Sequence, residues 1–114
     1  MTHYQKPEDL QLVPELVRLA PAEAKAFLAF DHAVKRDSGQ IPPKTRELIS
    51  LAVALTTQCA YCLDVHSQAA KRVGVTKEEL AEVVMIASAV RAGATAAHGL
   101  MAVRLFADAC VAIA

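Results

Sequence analysis

Residues Thr56–Gly74 read TTQCAYCLDVHSQAAKRVG and hold two of the chain's three cysteines, Cys59 and Cys62, with His66 four residues beyond the second. Intervals of three and four residues bring side chains onto one face of an α-helix. Thr56 or Thr57 can act as the N-cap, and Gly74 stands where such a helix would stop. The spacing predicts a helix with Cys59, Cys62 and His66 along a single face. That face can be a metal cage, a redox pair or part of the core.

The flanking sequence is punctuated as helices on both sides. Upstream, PEDLQLVPELVRLA is a short amphipathic start whose regularity Pro14 limits, and Pro21 suits the first turn of a second helix that runs to Ser38 and Gly39. GQIPPK is a turn. The third helix, about KTRELISLAVALT, carries Leu48, Ile49, Leu51, Ala52, Val53 and Leu55, which leave little polar face and predict burial. Downstream, Thr76 and Glu79 have capping-box spacing before EELAEVVMIASAVRA. Gly93 is expected to end or bend that helix, with Thr95 capping a last one, AAHGLMAVRLFADACVAIA. The expectation is an all-α, single-domain bundle of five or six helices across residues 1–114.

Composition agrees with helices. Apolar residues make up 54% of the 114, aromatics only 4%, and much of the excess is alanine, a strong helix former and a poor strand former. Twelve basic residues balance twelve acidic ones. No whole-protein field is therefore available to hold nucleic acid or an anionic membrane surface, and neither is expected as a partner. The amino-terminal sequence lacks the basic start and continuous apolar stretch of a secretory signal, and no run reaches about 18 uninterrupted apolar residues. A cytoplasmic protein is expected. The last helix is apolar almost all round, interrupted chiefly by Arg104 and Asp108, and a chain this small has little interior in which to hide it. A subunit interface would supply the missing burial.

In a reducing compartment a close cysteine pair is redox-active or metal-binding rather than a structural framework. A zinc site commonly needs four ligands, and here Glu47 or His98 would have to complete the set. The redox reading asks for less. Sulfurs in the first turns of a helix meet unpaired amides and the positive end of the dipole, which favour the reactive thiolate. His66 can exchange a proton with the Cys62 sulfur one turn away. Cys110 reads as a small core hydrophobe, and His3, His32 and His98 have no such company. Glu47, at the edge of the apolar third helix, is either solvated, paired with Arg46 or Lys44, or functional.

ELISLAVALTTQCAYCLDVHSQAAKRVGVTKEELAEVV resembles the AhpD-like alkylhydroperoxidases of the carboxymuconolactone decarboxylase family, whose pattern E-x11-C-x2-C-x3-H is filled by Glu47, Cys59, Cys62 and His66. The resemblance covers roughly residues 20–106. It implies an all-α fold, homo-oligomers that are trimers or hexamers in the single-repeat branch, and no cofactor. It also implies a Cys59–Cys62 dithiol that reduces peroxides or passes electrons to a peroxidase partner as a disulfide reductase, served by a Glu47–His66 proton relay, with a thiol or dithiol reductant, a peroxiredoxin or a lipoyl-type protein as partner. AhpD proteins often carry histidine inside the C-x-x-C, where this chain has Ala60 and Tyr61. The alternatives are an acid-base decarboxylase of the same family, whose members generally lack the cysteine pair, and a helical oligomerisation module.

Overall fold

A computed structural model describes residues 4–111. Among them are a 3-10 helix at Pro7–Leu12 and five α-helices, α1 Val13–Leu19, α2 Pro21–Val34, α3 Pro43–Thr57, α4 Ala60–Arg72 and α5 Lys77–Asp108, with no strand. Proline sits in the first turn of α1, α2 and α3, where its missing N–H has no partner to lose.

The packed part of the molecule is the layer formed by α3, α4 and the first half of α5. Leu51 on α3 is 1% exposed and meets Ala70 of α4 and Val83 of α5, with Leu48, Leu55, Leu63, Val75 and Leu80 closing around them. Small partners let the three helices approach closely around one leucine. Two end structures fix how they turn. After α4, Gly74 takes φ 86°, which a side chain disfavours; the Val75 N–H then reaches Ala70 O at 3.0 Å and the Gly74 N–H reaches Lys71 O at 3.2 Å, the paired bonds of a Schellman stop. Before α5, Thr76 Oγ1 accepts from the Glu79 N–H at 3.1 Å while Glu79 Oε1 accepts from the Thr76 N–H at 3.0 Å. The capping box expected from the sequence is present. Lys44 Nζ adds a 3.0 Å ion pair to Glu79, tying the start of α3 to the start of α5.

Four expectations are corrected. Gly93 neither ends nor bends the last helical stretch: α5 is a single helix of 32 residues, and Thr95 bonds back to Arg91 O at 3.0 Å instead of capping a new helix. One glycine costs a helix interior only about 0.5–1 kcal/mol relative to alanine, too little to break so long a run. The helix stops at Asp108, short of the expected end, of which residues 112–114 lie outside the described residues. Cys110 is exposed rather than in the core. α3 is buried along one face only, since Ile49 and Val53 are about half exposed.

At about 1.5 Å per residue, α5 is about 48 Å long, whereas the 15-residue α3 and 13-residue α4 reach only about 20–22 Å. Its buried residues, Val83 and Ala87, lie in the first half, and Leu100, Val103, Leu105 and Phe106 are all more than half exposed. By length and composition it is the one described helix that could cross a membrane. Arg91 near its middle is anchored instead to the end of α3, donating to Thr56 O. At the other end of the molecule α2 has no buried residue and packs on α1 alone, apart from the Arg46 guanidinium of α3, which donates to Val34 O and to Ile41 O. A Cβ at Gly39 would collide with that guanidinium, so glycine makes its passage possible. The radius of gyration is 19.7 Å, against about 13 Å for a compact chain of this length. The exposed area of 9305 Å² likewise exceeds the roughly 6,000 Å² of a compact monomer.

Candidate active site

The α3–α4 corner builds the site. α3 ends at Thr57, whose hydroxyl bonds back to Val53 O at 2.9 Å rather than capping the next helix. Gln58 then adopts a left-handed conformation, φ 56° and ψ 45°, which reverses the chain. For a residue with a side chain that conformation costs about 1–2 kcal/mol. The reversal leaves Cys59 extended at φ −95° and ψ 100°, so that Cys59, not Thr56 or Thr57, is the N-cap of α4, and its Sγ accepts from the Cys62 N–H at 3.2 Å. A cysteine pair wholly inside regular helix would hold its β-carbons too far apart to bridge. With Cys59 outside the helix, the Cα atoms are 5.2 Å apart and the two sulfurs are at bonding distance.

His66 lies one turn beyond Cys62 on α4. Across the helix pair, Glu47 of α3 presents Oε2 to His66 Nδ1 at 2.8 Å, with the two side chains 15% and 21% exposed. Of the neighbours that could have neutralised Glu47, Arg46 binds backbone carbonyls and Lys44 binds Glu79. Glu47 is thus left to the imidazole. Its bond fixes the ring by Nδ1 and leaves Nε2 as the nitrogen open to exchange a proton. A cavity of about 350 Å³ opens beside the pair, lined by the apolar Val34, Ile41 and Ile49 and by the charged Asp31, Lys35 and Arg46, and neither cysteine lines it.

The chain therefore brings Glu47 to His66 and Cys59 to Cys62 on adjoining turns of one corner. No group of three His, Cys, Asp or Glu side chains able to hold a metal occurs among the described residues. His3 lies outside the described residues. One contact has no counterpart in the sequence reading: Tyr61, between the two cysteines, donates its hydroxyl to Asp9 Oδ2 of the 3-10 helix at 2.6 Å. That bond, followed by one from the Lys6 N–H, holds the Asp9 carboxyl below the usual range, and it pushes the Tyr61 phenol up. The partners are 52 positions apart and Asp9 belongs to no motif, so no local pattern announces the contact.

Comparison with known proteins places the chain in a family. The profile of the carboxymuconolactone decarboxylase family matches residues 21–105. A Paracoccus denitrificans protein called "Uncharacterized protein 4 in cox locus" is 36% identical over 98 residues, covering 86% of this chain and 87% of that one. "Uncharacterized protein YdfG" of Bacillus subtilis is 32% identical over 62 residues, 54% of this chain and 41% of that one. "Alkyl hydroperoxide reductase AhpD" of Streptomyces griseus is 44% identical over 46 residues, 40% of this chain and 26% of its own length.

Proposed function

Because this chain belongs to the carboxymuconolactone decarboxylase family, whose profile spans most of its helical region, we propose that it is a thiol-dependent peroxidase of the AhpD type. The observation that carries the reading is the Glu47–His66 bond standing one helical turn from a closable Cys59–Cys62 pair. A decarboxylase needs the acid-base pair but not the sulfurs, and an oligomerisation module needs neither.

In the reduced protein, His66 Nε2 takes the proton of the Cys62 thiol, and Glu47 balances the imidazolium that results. The Cys62 thiolate attacks the outer oxygen of a hydroperoxide. The O–O bond breaks, Cys62 becomes a sulfenic acid, and the departing alkoxide takes the proton from His66 to leave as an alcohol. Cys59 then attacks the sulfenic sulfur and water leaves with the Cys59 proton, closing the bridge. The Cys62 N–H and the helix dipole favour the Cys59 thiolate needed for that step. The two electrons lost by the thiols have reduced the peroxide, and an external dithiol returns them.

The working form is a homo-oligomer, a trimer or hexamer. The chain exposes about 3,000 Å² more than a compact monomer of 12.2 kDa, an excess in the range of obligate interfaces. A second copy is a better cover for α5 than a bilayer, because Arg91 at mid-helix is bonded to α3 and would carry that helix's polar residues inward.

Peroxide consumption with dithiothreitol, and then with folded protein dithiols, tests the activity. Mild peroxide should remove two titratable thiols that return on reduction, with Cys59 joined to Cys62 in the mass spectrum. A chain that keeps all three thiols, or that bridges through Cys110, is not this enzyme.

A further inference from the structure

The 3-10 helix at Pro7–Leu12 precedes the family-matched region and has no buried residue of its own. Its side-chain tie to the rest of the molecule is made at the candidate site. Asp9 Oδ2 accepts the Tyr61 hydroxyl at 2.6 Å and also the Lys6 N–H at 3.1 Å, so one carboxylate both closes the 3-10 turn and anchors it. Gln5, Lys6 and Pro7 face Ala60, Tyr61 and Asp64 across a cavity of about 100 Å³. Ala60 and Tyr61 are the two residues inside the C-x-x-C. Whatever is held against them stands beside the bridge.

We propose that Tyr61 and Asp9 determine which reductants reach the Cys59–Cys62 bridge, by pinning residues 5–9 against the two residues between the cysteines. The inference rests on the redox reading of that pair. Resetting the bridge requires a reductant thiolate to attack one sulfur, forming a mixed disulfide and releasing the other sulfur as a thiolate. The reductant's second thiol then closes its own disulfide and frees the remaining cysteine, passing two electrons in all. The rate depends on access to the attacked sulfur. A small dithiol can reach it past the pinned segment, whereas a folded protein must lay a surface over Ala60 and Tyr61 and displaces the segment to do so. One side-chain hydrogen bond ties the segment to α4, so removing that bond should ease its displacement. Tyr61 and Asp9 thus act as specificity determinants, not as acid-base groups.

The test compares reduction of the oxidised full-length protein by dithiothreitol and by thioredoxin, used as a folded protein dithiol, in Tyr61→Phe, Asp9→Ala and the double variant. Each single substitution should speed reduction by thioredoxin about fivefold or more and change reduction by dithiothreitol less than about twofold, and the double should gain no more than the better single. Asp9→Asn, whose amide oxygen still accepts the Tyr61 hydroxyl, should restore most of the wild-type selectivity. Hydrogen exchange supplies the structural readout. Amides of residues 8–12 should lose protection in Tyr61→Phe while those of α4 keep theirs. Equal acceleration by both reductants, no acceleration by either, or singles whose effects multiply in the double would overturn the proposal and leave the peroxidase reading standing. Failure of the unsubstituted protein to form the bridge sinks the peroxidase reading itself, and this inference with it.

Discussion

The α3–α4 corner and the two ends of the molecule, α2 and the last turns of α5, are built from similar residues and have opposite surroundings. On α3, Leu51 is 1% exposed; on α5, Leu105 is 54% exposed, and on α2, Phe30 is 67% exposed. The difference is one of reach. α3, α4 and the first half of α5 are matched in length and sit side by side, so their apolar faces cover one another and hold Glu47 and His66 largely out of water. α2 packs on the shorter α1 alone, and the rest of α5 extends past every helix that could cover it. An apolar stripe in a sequence specifies that a face needs covering, and says nothing about whether the cover comes from the same chain.

The comparison can be broken by substitution. Leu51→Ala should cost about 2–5 kcal/mol in a denaturant titration, as expected for a leucine deleted from a closed core. The informative contrast is Leu105→Glu or Val103→Glu. If second copies cover the end of α5, at least one of them should behave as a core substitution, losing about 2 kcal/mol or more and dissociating the protein in light scattering. If that face is bare, both should cost less than about 0.5 kcal/mol and leave the mass unchanged. The same reasoning extends to function. Glu47→Gln keeps shape and deletes charge, and should lower peroxide turnover about 10–100-fold, or about 1.4–2.7 kcal/mol, without changing the helix content. Combined with His66→Asn it should cost no more than the worse single variant, because the two act as one unit.

The smallest effect is a pH dependence. The Thr76 N–H, and after it Lys44, hold the Glu79 carboxyl below its ordinary 4.5. A depressed folded value means this stabilisation is fully present above pH 4.5 and is lost as pH falls through the folded value. Thermal melts of the wild type should drop across that acid window more steeply than those of Glu79→Gln. Equal slopes would show that the cap and the Lys44 pair contribute nothing to joining α3 and α5.

Much of the packed half was legible in the sequence because its signals are local. Thr76 with Glu79, and Gly74, act on their own backbone within a turn, and the structure uses each in that way, as it does Pro21 at the start of α2. The spacing of Cys62 and His66 on α4 is likewise local arithmetic, although Cys59 lies just outside that helix as its N-cap rather than on it. Where local signals compete, the sequence misleads: Thr57 is as good a cap as any, yet its hydroxyl turns back to Val53 and a cysteine takes the position. Gly93 reads as a break and is carried through by thirty-one helical neighbours. Of the contacts between distant segments, Glu47 with His66 was implied by the family pattern and not by helix geometry, while Tyr61 with Asp9 depends on how segments pack, which no spacing encodes.

The placement of Cys59 one step outside α4 also bears on what a change of oxidation state does to the fold. A cross-link stabilises a protein largely by limiting the freedom of the unfolded chain, and that effect grows with the span enclosed. The Cys59–Cys62 bridge spans a sequence separation of three, so on chain-entropy grounds it contributes about 2 kcal/mol, against nearly 5 for a link enclosing 100 residues. The helix it caps is independently closed at its far end by Gly74 and held through Ala70 of its last turn against Leu51 of α3. Opening and closing the bridge therefore leaves most of the folding free energy where it was. A bond that can be cycled repeatedly without unfolding its host is well suited to turnover.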